Sequence, residues 1–264
     1  MVELLLVLLG AGAVLSASMA AAWAVQRATG NSGWIDVTWT FSLGAVAAAL
    51  ALGYGNGARA VAVAAFVALW SARLGLHLAV RTAGAGDDPR YRDLMEQWGA
   101  DAGRRLFWFA QSQAAVSLLL AGTILIAARN PAPFPATGDV LAAAVFALGV
   151  LGEAVADYQL RRFKADPANR GRICDRGLWG WSRHPNYFFE WVCWLAYPLL
   201  AIVPAGGYAV GYVALAAPAC MYWLLVMVSG IPPLETHLMR TRAAAFAVYR
   251  MRTRAFFPFP PKRG

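Results

Sequence analysis

Charged residues are scarce in this sequence, and acidic residues are scarcer than basic ones. Only 14% of the 264 residues are Asp, Glu, Lys or Arg, whereas 59% are hydrophobic. Soluble domains carry about 25% charged residues, so the composition excludes an ordinary soluble protein and is typical of a polytopic membrane protein. The 14 acidic residues are outnumbered by 23 Lys and Arg, so an anionic partner has to be considered.

Cysteine is scarce too. Cys174, Cys193 and Cys220 are odd in number and show no CxxC or Cys/His ligand spacing. The pattern predicts neither a disulfide framework nor a metal site. No internal repeat or low-complexity segment divides the chain, so we expect a single polytopic membrane domain over residues 1–264.

Long apolar runs, by contrast, are frequent. A membrane-spanning helix needs about 20 mostly apolar residues. Seven windows qualify: 3–26, 34–53, 58–80, 105–128, 138–160, 186–204 and 206–229. The expected fold class is an all-α integral membrane protein with about seven transmembrane helices, the last two joined by a short turn at 204–207.

The basic residues fall on one side of the membrane if these spans alternate. Twenty lie in the first, third and fifth loops and the tail, against Arg59 and Arg129 on the other side and Arg73 inside a span. The positive-inside rule then puts the N-terminus outside and the C-terminus in the cytoplasm. Glu3, with no Lys or Arg before the first apolar run, favours a retained helix over a cleaved signal peptide. This placement argues against nucleic acid and for a bilayer partner, in a bacterial inner membrane.

The segment 176–198 gathers polar groups at the start of an apolar, Trp-rich run. Arg183, His184 and Asn186 precede it, and Glu190 lies within it. A carboxylate inside a span is costly to bury and usually faces a cavity or a partner. Pro185 suits the first turn of a helix, which leaves backbone N–H groups near a ligand. The segment predicts a polar ligand at the membrane surface; a helix cap with interfacial anchors is the alternative.

Two further basic segments could take part. Helical spacing puts Asp157, Arg161 and Lys164 on one face, either as ligands or as an ion pair at a helix end. Arg172 is equally a ligand or a membrane-surface charge, and Arg240 with Arg242 is interpreted as a solvated or lipid-headgroup face. Where the basic segments 81–104, 161–185 and 230–264 converge, arginines could bind phosphate with bidentate hydrogen bonds.

The sequence Arg183-His-Pro-Asn-Tyr187 followed by Glu190, together with Gly230-Ile-Pro-Pro-Leu-Glu235, Tyr249 and the run 256–261, resembles the bacterial membrane steroid 5α-reductase-like family. That family is related to sterol C14-reductases and, more distantly, to isoprenylcysteine methyltransferases. The resemblance covers 150–261 and is looser before that. It implies a substrate cavity mainly in residues 1–150 and a cofactor half mainly in 151–264.

The resemblance also implies an NADPH site. Its residues would be Asp157, Tyr158, Arg161, Lys164, Arg172, Arg183, His184, Asn186, Tyr187, Glu190, Glu235 and Tyr249. Asn186 and Glu190 are assigned to the nicotinamide end, and Glu235 and Tyr249 to a cytoplasmic helix over the cofactor. Lys164 stands where human steroid enzymes have Arg, and Glu153 and Val155 stand where they have Asn and His, so those contacts differ.

On the substrate side, Asp36 and His77 are the candidate catalytic residues. Ionisable groups within spans are functional candidates, although Asp36 could instead neutralise Arg73, one turn from His77. The family's Glu on the second span and Tyr on the third cannot be transferred to this sequence.

The expected activity is NADPH-dependent reduction of a carbon–carbon double bond conjugated to a ketone in a lipophilic substrate such as a 3-oxo-Δ4 steroid. It needs a hydride and a hydrogen-bond donor at the carbonyl. The alternatives are an S-adenosylmethionine-dependent methyltransferase of the isoprenylcysteine type and a non-enzymatic lipid-binding protein. S-adenosylmethionine has no phosphate and would leave the seven cations of the fifth loop without an anion.

Overall fold

The computed structural model of the protein describes residues 2–84, 86–203 and 207–261. Across these ranges every named element is helical, which confirms the all-α prediction. The helices are α1 Val2–Thr29, α2 Gly33–Tyr54, α3 Gly57–Ala83, α4 Pro89–Trp98, α5 Ala102–Ala128, α6 Thr137–Ala165, α7 Leu178–Trp181, α8 Pro185–Ile202, α9 Ala216–Trp223, α10 Ile231–Thr241 and α11 Ala243–Arg252. Helices satisfy their own backbone hydrogen bonds, which a chain surrounded by lipid requires.

Six helical stretches in the described residues are long and apolar enough to cross a membrane. They are Val2–Thr29, Gly33–Tyr54, Gly57–Ala83, Pro89–Ala128, Thr137–Ala165 and Ala209–Thr241. The predicted window 186–204 forms α8, whose 18 residues are not among the six. Asn186 and Glu190 make the first half of α8 more polar. The count of seven therefore stays a prediction, and residues 204–206 of the predicted turn lie outside the described ranges.

The chain divides into two compact units. Met1–Asp139 with Tyr197–Ala217 form the N-terminal unit, and Val140–Ala196 with Pro218–Gly264 form the C-terminal unit. In the N-terminal unit, a buried cluster that includes Leu15, Met19, Ile35 and Leu106 joins α1, α2 and α5. Small residues allow close packing of helices in a membrane, and α2 and α3 meet at Gly44, where any Cβ would collide with Ser71.

Arg59, predicted to lie on the outer side, is buried at the start of α3 in the N-terminal unit. Its side chain is 2% exposed and binds Asp139 in a bidentate pair at 2.8 Å through Nε and Nη2. Nη1 donates to the carbonyls of Asn130 at 2.6 Å and Ala132 at 2.7 Å, and Nη2 donates to Pro133 at 3.0 Å. Arg59 therefore holds the 130–133 connection beside the start of α6 and is a structural residue.

In the C-terminal unit, two glycines of α6 allow α8 to approach closely. A Cβ at Gly149 would meet Cys193, and one at Gly152 would meet the Phe189 ring. In the tail, Phe256 is buried against Phe188, Trp191 and Tyr222. The unit thus fixes the first half of α8 between α6 and the tail.

Candidate functional site

The first predicted cofactor residues lie in the last turns of α6. Asp157 is buried, whereas Tyr158, Arg161 and Lys164 are exposed. The helix predicted from their spacing is confirmed. Beyond α6, Arg172 is exposed in the connection to α7. Arg161 and Arg172 therefore present guanidinium groups at the surface of the C-terminal unit.

The turn that leads into α8 is fastened to α6 by two hydrogen bonds. The backbone N–H of Leu178 donates to Gln159 Oε1 at 2.9 Å, and the indole of Trp179 donates to the Ala156 carbonyl at 2.9 Å. Gly177 has φ +59°, and Gln159 fills the space that a Cβ would need, so glycine is required there. The turn is held against the part of α6 that carries the predicted ligands.

The C-terminal tail pairs with the same turn. Ser182 and Arg254 form a parallel bridge, in which the Arg183 N–H donates to the Arg254 carbonyl at 2.8 Å. The buried Tyr249 hydroxyl donates to the Trp179 carbonyl, and burial raises the pKa of Tyr249. Tyr249, a predicted cofactor ligand, is thus bonded to the backbone of the turn.

Arg183, His184 and Glu235 form a charged cluster inside the unit. Arg183, 8% exposed, binds Glu235 Oε1 through Nε and Nη2, each at 2.8 Å, and donates from Nη1 to the Thr253 carbonyl. His184 Nε2 lies 3.0 Å from the same Glu235 oxygen. The Arg183 donors are committed to the protein, so in this structure they order the turn before α8. Direct binding of a cofactor by Arg183 stays a prediction.

The surroundings of the His184 ring favour its neutral form. Burial lowers the pKa of His184, and the hydrogen bond and charge of Glu235 only partly oppose this while Arg183 adds to it. With the proton on Nε2, the neutral ring donates to Glu235. Its face stacks on Tyr187 with ring centres 5.5 Å apart, which orients the first turn of α8.

Asn186 and Glu190 lie one turn apart near the start of α8, which begins at Pro185 as predicted. Asn186 is half-buried, and Glu190 is 4% exposed. The indole of Trp194 donates to Glu190 Oε1 at 3.0 Å. An amide and a fixed carboxylate on one helix face can bind a group that both donates and accepts hydrogen bonds.

A second polar cluster surrounds Asp36 in the N-terminal unit. Arg90 Nη2 donates to Asp36 Oδ2 at 2.6 Å, and the Tyr91 hydroxyl donates to Oδ1 at 2.7 Å. Arg90 is therefore an ion-pair partner of Asp36, a role for which the sequence suggested Arg73. Both Asp36 oxygens thus accept hydrogen bonds, one from a guanidinium and one from a hydroxyl, and the catalytic role of Asp36 stays a prediction. Gln113 Nε2 in turn donates to the Tyr91 oxygen at 3.1 Å.

Sequence reasoning missed Arg90 and Tyr91, although a signal was present. Asp88-Pro89 has the residue types of a helix cap followed by the first helical position, and α4 begins at Pro89 with the Asp88 side chain accepting from the Arg90 N–H. Burial would raise the pKa of Asp88, but the hydrogen bonds and charge of Arg90 outweigh it and hold that pKa below its ordinary value. The cap thus delivers Arg90 and Tyr91 to Asp36.

His77 lies half-buried on α3, one turn from Arg73 as predicted. Its catalytic role stays a prediction. Within the described residues no group of three or more His, Cys, Asp or Glu could hold a metal ion.

Comparison with known proteins gives one match. The family described as "Protein of unknown function (DUF1295)" matches residues 22–253. No curated protein matches, and no solved structure matches.

Proposed function

Since the chain belongs to the DUF1295 family of unknown function, we propose from its residues that it is a membrane reductase that uses NADPH. The substrate would be a lipophilic ketone with a conjugated double bond, such as a 3-oxo-Δ4 steroid. The proposed topology has seven spans, the N-terminus outside and the cofactor site facing the cytoplasm. The agreement of the basic loops with alternating spans supports that topology.

The pair Asn186 and Glu190 carries the proposal. A nicotinamide carboxamide has an NH2 group that donates and a carbonyl that accepts. The Glu190 carboxylate, fixed by Trp194, suits the first, and the Asn186 amide suits the second. The residues present therefore fit this group.

Exposed basic residues of the C-terminal unit are suited to bind the phosphates at the other end of NADPH. Arg161, Lys164 and Arg172 would bind its phosphates, and the 2′-phosphate would favour NADPH over NADH. The Arg183–Glu235 pair and the tail would position the turn between these cations and Asn186. When bound, NADPH would supply the hydride that adds to the β-carbon of the enone, and a proton from the carbonyl's donor or from water would complete the reduction at the α-carbon.

The developing enolate needs a hydrogen-bond donor at its oxygen. His77 remains a candidate donor in the N-terminal unit. Asp36 remains the other candidate, while the Tyr91 hydroxyl gives its single proton to Asp36 and so orients that carboxyl group.

The proposal is tested by measuring the affinity of purified protein for NADPH, NADH and S-adenosylmethionine. We expect NADPH to bind most tightly. Arg161→Gln with Arg172→Gln should remove the preference over NADH, whereas the exposed Arg129→Gln, on the predicted outer side, should not change it. Binding of S-adenosylmethionine alone would instead support the methyltransferase, and binding of neither ligand would refute both.

Turnover is tested with deuterated NADPH and an enone steroid. Asn186→Ala and Glu190→Gln should abolish transfer of deuterium to the product while the melting temperature stays within a few degrees. Asp36→Asn and His77→Phe separate the two candidate donors. Normal turnover in the folded Asn186 and Glu190 variants would assign that pair a packing role only.

A further inference from the structure

Helix α11 has an apolar face that the protein leaves exposed. Phe246 and Tyr249 are buried on one side of the helix. The opposite side carries Ala244, Ala247, Val248 and Met251, and Met251 is 69% exposed. A ten-residue helix with one face packed on protein and the other apolar and open needs a second apolar environment.

Two arginines flank this apolar face. Arg250 and Arg252 lie on either side of Met251 and are exposed. Within the described ranges, neither guanidinium has an acidic or hydrogen-bonding partner. An apolar stripe bordered by arginines is the pattern of a helix that lies in a membrane interface, where the long basic side chains reach the headgroups.

The tail around α11 has a strong excess of positive charge. Residues 236–264 contain seven Lys and Arg and no acidic residue. Exposed Phe257 and Phe259 follow α11, and the Arg254 guanidinium lies 4.3 Å above the Phe259 ring. The candidate span Ala209–Thr241 ends two residues before α11 begins. A basic segment directly beside a span is drawn to anionic lipids.

We propose that α11 and residues 253–259 form a docking surface for the headgroups of anionic phospholipids. The apolar face rests among the acyl chains near the surface, and Arg250, Arg252 and Arg254 bind lipid phosphates. Tyr249, a predicted NADPH residue, lies on the buried side of α11, and none of the lipid-facing residues is a predicted NADPH ligand, so the proposal does not depend on that function.

The same surface is coupled to the turn before α8. The Arg183 side chain donates to the Thr253 carbonyl, and the Phe259 N–H donates to the Trp181 carbonyl at 3.1 Å. A lipid surface that fixes α11 therefore also fixes residues 181–183. Anionic lipid should protect both segments, and this pattern distinguishes docking from a general effect of charge.

The test is hydrogen–deuterium exchange of the full protein in nanodiscs of phosphatidylcholine with and without phosphatidylglycerol. Exchange in 243–259 and 178–184 should slow by about fivefold or more with phosphatidylglycerol, the population factor of one arginine near an anionic surface. High salt should reverse the effect. Arg250→Gln with Arg252→Gln should abolish it, whereas Arg92→Gln with Arg105→Gln, which removes two other exposed arginines, should not.

Three results would overturn the proposal. Exchange could be independent of phosphatidylglycerol, or both double variants could lose protection equally. Inorganic phosphate added to pure phosphatidylcholine discs could also protect the tail to the same extent, which would assign the site to free phosphate. None of these measurements uses NADPH, so failure here is distinct from failure of the proposed reductase.

Discussion

Replacing Arg183 by lysine separates a structural role for this residue from direct cofactor binding. The Arg183 guanidinium reaches Glu235 with two nitrogens and the Thr253 carbonyl with a third. A lysine ammonium keeps the charge, but it is a compact group that cannot span the same acceptors. The change therefore leaves the Thr253 carbonyl or the Glu235 carboxylate without its donor.

The expected loss of stability follows from these contacts. Each hydrogen bond to a charged group contributes about 1.5–3 kcal/mol, so losing one or two in this mostly buried site should cost ~3 kcal/mol. For a chain of this size each kcal/mol lowers the melting temperature by about 2–4 °C, which gives a fall of about 6–12 °C. The exposed Arg176→Lys is the matched control and should change stability by less than about 0.5 kcal/mol.

The assay is thermal unfolding in detergent, followed by the NADPH affinity of the folded variant. A melting temperature equal to that of Arg176→Lys, together with a large loss of NADPH affinity, would refute the structural role and show that Arg183 contacts the cofactor. If Arg183→Lys lowers the melting temperature, Glu235→Gln should lower it by a similar amount. The two losses of stability should not add in the double variant, which would agree with the pair seen in the structure.

Two other predictions concern buried ionisable side chains. Burial lowers the folded-state pKa of His184 below its unfolded value. The contribution of His184 to stability is therefore complete above about pH 6.5 and is lost as the pH falls through the folded pKa. Melting temperatures measured from pH 7.5 to 5.5 should fall less in His184→Gln than in wild type, and equal slopes would contradict this. Asp139→Asn leaves Arg59 buried without its counter-ion and should lower the free energy of unfolding by about 3–5 kcal/mol. Thermal unfolding measures this loss, with the exposed Asp101→Asn as control. A loss of stability equal to that of the control would contradict the buried pair.

Hydropathy was sufficient to predict the long apolar helices, and local spacing was sufficient for positions within some of them. Apolar runs longer than a bilayer's core must be helical because lipid offers no hydrogen-bond partners. Residue type predicted Pro185 at the start of α8, and helical spacing predicted Asp157 and Arg161 on one face of α6. Asn186 and Glu190 were likewise identified as neighbours by their spacing of four residues.

Only the tertiary structure decided which charges pair. Asp36 binds Arg90, 54 positions away, whereas the sequence suggested Arg73 as its partner. Arg59, counted among the outer-side charges, is buried with Asp139, 80 positions away, and the sequence did not indicate this partner. Arg183, predicted as an NADPH ligand, is held by Glu235, 52 positions away. A charge pattern limits where an ion pair can form, but the choice of partner depends on which backbone segments packing brings within 3 Å, and local sequence carries little of that information.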